Sequence, residues 1–182
     1  MNTRSSQNRY GTIAVRLHWA SAVLVLAQLG LGLAMSRLGG GDNDRLHQIH
    51  VGVGLLVAVL TIGRVAWRVI EPSPSTPPMP DWRRVAYVAN HVAFYVVLLA
   101  LAVGGIAMLI ASGVAPFPTS VDATSVDDGR LRDGHFVLAL VFSALFVMHV
   151  VGVVTYQRTK GDVFARMGIE GISSPTPDQS QS

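Results

Sequence analysis

Four long apolar stretches constrain this chain more than any other feature. They run from about Ile13 to Met35, Ile49 to Val69, Val85 to Ala111 and Phe136 to Tyr156, rich in Val, Leu, Ala and Gly and free of acids. A helix needs about 20 apolar residues to cross the hydrocarbon core of a bilayer. Inside lipid a segment must satisfy its own backbone hydrogen bonds, so each stretch reads as a transmembrane helix. The only bases within them, Arg16, Arg64 and Arg68, lie near one end, where a long side chain reaches the interface. The first stretch is too long for a signal peptide and three more follow it, so it is expected to be a retained helix. The fold class is therefore all-α: a four-helix transmembrane bundle whose partner is the membrane lipid bilayer.

Charged residues make up only 14% of the chain, against roughly a quarter in soluble domains. The net charge of +3 does not indicate nucleic acid, because the bases flank apolar runs instead of lining a soluble helix face. The absence of cysteine excludes disulfides, thiolate metal sites and covalent haem attachment. Between the spans, Gly39, Gly40 and Gly41 break the chain, and Asp42 to Asp44 offer caps for the second helix. Glu71 to Trp82 reads EPSPSTPPMPDW, a proline-rich connector that cannot be helical. Val121 to Asp133 reads as a polar loop. Three regions follow: an N-terminal tail at 1–9, a membrane domain at 10–167, and a disordered tail at 168–182, Ser-, Pro- and Gln-rich after Gly171.

Basic residues set the orientation. Arg4, Arg9, Arg16, Arg64, Arg68, Arg83, Arg84, Arg158, Lys160 and Arg166 fall on one side of the bundle. The other side holds only Arg37, Arg45, Arg130 and Arg132, together with six aspartates. Cytoplasmic loops carry the excess of Lys and Arg. Both termini are expected in the cytoplasm of a bacterial cell, with the chain a multi-pass protein of the inner membrane.

The chemistry lies in the histidines. His18, His50, His91, His135 and His149 sit within or at the start of apolar stretches, and His47 one turn before His50. An ionisable group in a membrane helix is a functional candidate by default, and five at matched depths exceed what helix packing needs. His18, His91 and His149 fall at the cytoplasmic level; His50 and His135 fall at the periplasmic one. His149 lies fourteen residues beyond His135, roughly 21 Å along the helix and about 40° short of four full turns. One helix thus presents a ligand in each leaflet. His50 pairs with His135, and His149 pairs with His18 or His91; the spacing does not choose. A haem iron takes two axial ligands on opposite faces, and histidine at both gives a low-spin electron carrier. Gly30, Gly32, Gly52, Gly54, Gly104 and Gly105 either make room for a flat macrocycle or serve close helix packing.

Several motifs occur together: RLHW (Arg16 to Trp19), IHVGVG (Ile49 to Gly54), RVAWR (Arg64 to Arg68), the proline-rich connector, NH (Asn90, His91), and GH and MH in the fourth helix. In this order and spacing, over about Tyr10 to Met167, the chain resembles the bacterial cytochrome b561 family of di-haem membrane proteins. The resemblance implies two haem b groups, held by His18 with His149 and by His50 with His135. It implies a quinone pocket near the cytoplasmic haem, served by His91, with Arg64 and Arg68 close to the haem edge or its propionates. There a neutral imidazole is expected to donate to a quinone carbonyl. Arg130 and Arg132, shortly before His135, either attract an anion towards the outer haem edge, hold its propionates or merely solvate the loop. His47 reads as interfacial, with a propionate contact as the lesser alternative.

The resemblance further implies a transmembrane electron carrier linked to the ubiquinone pool: a superoxide oxidase that takes electrons from periplasmic superoxide. The alternative is a cytochrome b subunit that exchanges electrons with a hydrogenase or dehydrogenase partner. A small transporter is disfavoured, because the spans contain no acids.

Overall fold

The computed structural model describes residues 3–6, 9–37, 44–71, 74–76, 79–113, 129–160 and 163–169. The chain folds into α1 (Thr12–Arg37), α2 (Asp44–Ile70), α3 (Asp81–Ala111), α4 (Gly129–Lys160) and a one-turn α5 (Val163–Arg166). The first four are long and apolar enough to cross a membrane. Few of their side chains are buried within the protein. Val59, Val69, Val85 and Val103 are all more than 60% exposed, which lipid tolerates and water does not. The hydroxyls of Ser21, Thr61 and Ser143 bond to carbonyls four residues back, so no hydroxyl of these three faces lipid unpaired.

Two boundaries differ from those expected. The polar sequence 129–133 belongs to α4, which therefore starts six residues before His135, and Asp81 and Trp82 open α3. Pro80 caps α3 in an extended conformation, and Asp81 pairs with Arg84 one turn on, a first-turn acid that the helix dipole favours. Polarity alone does not end a helix that later anchors in lipid. The expected break at Gly39, Gly40 and Gly41, the caps Asp42 and Asn43, the loop at 121–128 and the tail beyond Gly171 lie outside the described residues.

Helix α1 packs on α2, α2 on α3 and α3 on α4. The start of α1 meets α5: Tyr10 N–H donates to the Arg166 carbonyl at 3.3 Å, and Trp19 Nε1 donates to the Met167 carbonyl at 3.1 Å. At Gly11 a Cβ would run into the backbone of Thr3 to Ser5, so glycine lets that segment fold back on the start of α1. Gly168 ends the one-turn α5 with φ of +79°, a left-handed conformation that glycine adopts without strain.

The buried core is a thin layer of Val25, Val57 and Phe142, with Phe94, Val97 and Leu98 among the residues packed around it. Val25 lies seven residues after His18, Val57 seven after His50, and Leu98 seven after His91. Phe142 lies seven from both His135 and His149. Seven residues are two turns and nearly the same helix face. The core is therefore the floor shared by two histidine levels.

Candidate functional site

At the end of the bundle where α5 meets the start of α1, His18 of α1 and His149 of α4 face each other with ring centroids 6.5 Å apart. His91 of α3 completes the group, 5.4 Å from His149, and Phe94 sits against the same imidazole at 5.4 Å. His91 Nδ1 lies 2.7 Å from the Tyr87 carbonyl. A carbonyl only accepts, so Nδ1 carries the proton and the neutral ring presents Nε2 as an acceptor. This corrects the expected donation from a neutral imidazole to a quinone carbonyl: only a protonated His91 can donate from Nε2. Arg64 of α2 enters the same site, with Nη2 3.2 Å from His18 Nδ1 and its guanidinium carbon 5.7 Å from the Tyr95 ring centroid. Arg68 follows one turn later on α2 and is exposed.

At the opposite end, His50 of α2 and His135 of α4 stand 6.3 Å apart, centroid to centroid. Small residues admit both rings. A Cβ at Gly32 would lie 3.6 Å from His50 Cε1, and Cβ atoms at Gly104 and Gly105 would lie 3.7 and 3.6 Å from the His135 ring. Gly30 and Gly52, expected to serve the same purpose, have open space beside them. Gly54 instead receives Gln28, whose Nε2 lies 3.0 Å from His50 Nε2. Nδ1 of His50 and Nδ1 of His135 are buried without a hydrogen-bond partner, as is Gln28 Oε1. Arg132 is exposed in the first turn of α4, one turn before His135, and His47 is half-buried one turn before His50.

Sequence reasoning missed Gln28, Tyr95, Phe94 and Phe142. Gln28 carried a usable signal: it is an amide inside an apolar run, ten residues beyond His18 and so about 15 Å deeper, at the level of His50. The aromatics carried none, since Phe and Tyr are ordinary in any membrane span.

Residues 9–168 match the family described as prokaryotic cytochrome b561. The chain belongs to that family. It is 34% identical over 161 residues to cytochrome b561 homolog 2 of Escherichia coli (strain K12), covering 82% of this chain and 85% of the relative. Cytochrome b561 homolog 1 of the same organism is 28% identical over 161 residues, covering 79% and 92%. This cytochrome b561 is thus a membrane electron-transfer cytochrome, of a family that generally binds haem b.

The histidine pairs fit such a group. A nitrogen binds a metal at about 2.0 Å and half an imidazole adds roughly 1.1 Å, so two rings on opposite sides of one metal hold centroids roughly 6.2 Å apart. The spacings of 6.3 and 6.5 Å agree, whereas His91 at 5.4 Å from His149 is too close. The Gln28 amide nitrogen only donates, so His50 Nε2 carries the lone pair that a metal would take in its place.

Proposed function

We propose that this cytochrome b561 holds two b-type haems, one between His18 and His149 and one between His50 and His135. It passes electrons through the membrane from superoxide on the periplasmic side to ubiquinone near the cytoplasmic side. The observation that carries this reading is the pair of imidazole spacings, 6.5 and 6.3 Å, at two levels of one bundle. When bound, each haem would be held by its histidine pair and would supply a one-electron change.

The chain's own residues supply the rest. The four histidines fix the position and tilt of each group through rigid helices. Gly32, Gly104 and Gly105 let the far-side imidazoles stand upright between helices. The layer of Val25, Val57 and Phe142 keeps water out between the levels, so protons do not follow electrons. His91, tied to the Tyr87 carbonyl, shuttles protons at Nε2: it takes one from the terminal side and delivers it to a reduced quinone. The ten bases that fall on the His18–His149 side support a cytoplasmic placement of that face, with both termini.

The test is purification in detergent, haem quantification, and mixing with superoxide and a short-chain ubiquinone. Two haems per chain, their reduction by superoxide and re-oxidation by quinone support the proposal. Haems that superoxide leaves oxidised would end the superoxide assignment; co-purification with a hydrogenase or dehydrogenase subunit would put a protein donor in its place.

A further inference from the structure

In each histidine pair one ring is met by a hydrogen-bonding side chain from another helix, and these two side chains differ in charge. His50 is met by the neutral amide of Gln28, while His18 is met by the guanidinium of Arg64. We propose that Arg64 makes the His18–His149 site the higher-potential site of the two, so that electrons entering beside His50 and His135 come to rest beside His91. This rests on the two-haem reading above and adds the direction of flow.

The argument is electrostatic. A ferrous haem carries one positive charge fewer than a ferric one, so a nearby cation favours the reduced form. Arginine cannot lose its proton in a protein, so its charge is permanent. Arg64 is half-buried in a membrane span, and no carboxylate among the described residues pairs with it. The nearest acid in sequence, Glu71, lies just past the end of α2, seven residues on and about 10 Å away along the axis, and already accepts a hydrogen bond from the Ser5 backbone. Arg68 adds charge of the same sign one turn away. When His18 binds iron through Nε2, its Nδ1 carries a proton and no longer accepts from the guanidinium. Arg64 is still held within the site by the Tyr95 ring, 5.7 Å from its guanidinium carbon.

Among the described residues, the far-side pair has no such charge. Its charged neighbours, Asp44, Arg45, Arg130, Arg132 and Asp133, are of both signs and exposed at helix starts, where water and salt screen them. The balance is one electron. The iron between His50 and His135 goes from ferrous to ferric, and the iron between His18 and His149 goes from ferric to ferrous. No bond or proton moves in that step. A one-electron reductant at the far side supplies the electron and a quinone removes it.

The experiment is an equilibrium redox titration of the purified, haem-loaded protein, followed by visible absorbance. The wild type should give two midpoints, and the double variant His50→Ala/His135→Ala should keep only the higher. Arg64→Gln should shift that midpoint downward by tenfold or more in the electron-sharing equilibrium, about 59 mV for one electron, and leave the other in place. Arg64→Lys, which keeps the charge, should recover most of the shift. Survival of the lower midpoint in the double variant overturns the inference. So does an unmoved midpoint in Arg64→Gln with both haems bound, the result expected if a haem carboxylate neutralises the guanidinium. If Arg64→Gln loses its haem, the double variant alone decides. A wild-type protein without two haems shows itself in the haem count, before any titration, and strikes the two-haem reading itself.

Discussion

Phe94 of α3 and Phe142 of α4 lie 5.2 Å apart, ring centroid to ring centroid, between the two histidine levels. Phe142 is only 3% exposed and stands two helical turns from both His135 and His149. Its ring fills the middle of the bundle. A cavity there loses packing contacts with no compensating collapse, since the surrounding helices are held at both ends. In soluble cores Phe→Ala costs about 3–5 kcal/mol. In a bilayer the transfer part of that cost shrinks, because lipid is as apolar as the core. Phe142→Ala should therefore lower the midpoint of thermal unfolding in detergent, by less than a soluble core would suggest, with both haems still bound at low temperature. A melt followed by haem absorbance checks this.

The paired spacings predict how haem is lost. His50→Ala or His135→Ala should remove the far-side haem or leave it high-spin, without altering the other. His18→Ala or His149→Ala should do the converse. Haem count and spin state, read together from absorbance and electron paramagnetic resonance, separate these outcomes. The His91 ring lies 5.4 Å from His149, so His91→Ala is the decisive control: both haems should remain low-spin. Loss of one would assign His91, and not His18, as the ligand.

Glycine at the far-side pair gives a graded prediction. A Cβ at Gly105 would sit 3.6 Å from His135 Cε1, an ordinary van der Waals contact. Gly105→Ala should keep both haems. Gly105→Leu places branched carbons where the imidazole stands and should empty that site while sparing the other. Equal haem content in the two variants would show that the ring has room to move.

Much of this was legible in the sequence, for identifiable reasons. Apolar length alone fixes α1 to α4, because lipid leaves a chain no other way to satisfy its backbone. Counting residues from the ends of those runs puts His50 and His135 at one level and His18, His91 and His149 at the other, and the structure brings both groups together. Counting could not choose between His18 and His91 as partner of His149. That depends on lateral distances between helices, which periodicity does not encode. Arg64 was legible as a base near the site, but its seat between His18 and Tyr95 was not. The start of α4 at Gly129 was hidden because polar residues beyond the bilayer can continue a helix as readily as end it. The one-turn α5 and its clasp on Trp19 and Tyr10 depend on backbone hydrogen bonds across the chain, which carry no local pattern.

His91 yields a prediction about protons. With Nδ1 donating to the Tyr87 carbonyl, its free nitrogen accepts from a quinol hydroxyl and donates only when protonated. His91→Phe keeps an aromatic ring of similar reach and removes that nitrogen. Both haem spectra should stay unchanged, superoxide should still reduce the haems, and their re-oxidation by ubiquinone should slow at least tenfold. Stopped-flow absorbance resolves the two phases. Re-oxidation at the wild-type rate would assign the quinone elsewhere.

The last prediction concerns the far face and separates superoxide from a protein donor. Superoxide is a small anion, and its encounter with a basic rim is faster at low salt because screening shortens the reach of the field. Arg132 is exposed one turn before His135, and Asp133 follows it. Arg37, at the end of α1, belongs to the other connection on the same face. If superoxide delivers its electron near His135, the rate of haem reduction should fall as ionic strength rises. Arg132→Gln should lower that rate several-fold at low salt and leave it little changed at high salt. Arg37→Gln should have a smaller effect under both conditions. Pulse radiolysis with the detergent-solubilised protein measures all three rates directly. A rate independent of salt and equal in the two variants would mean that no charge on this rim guides the donor. The carrier would then meet its electron through contact with a docked protein.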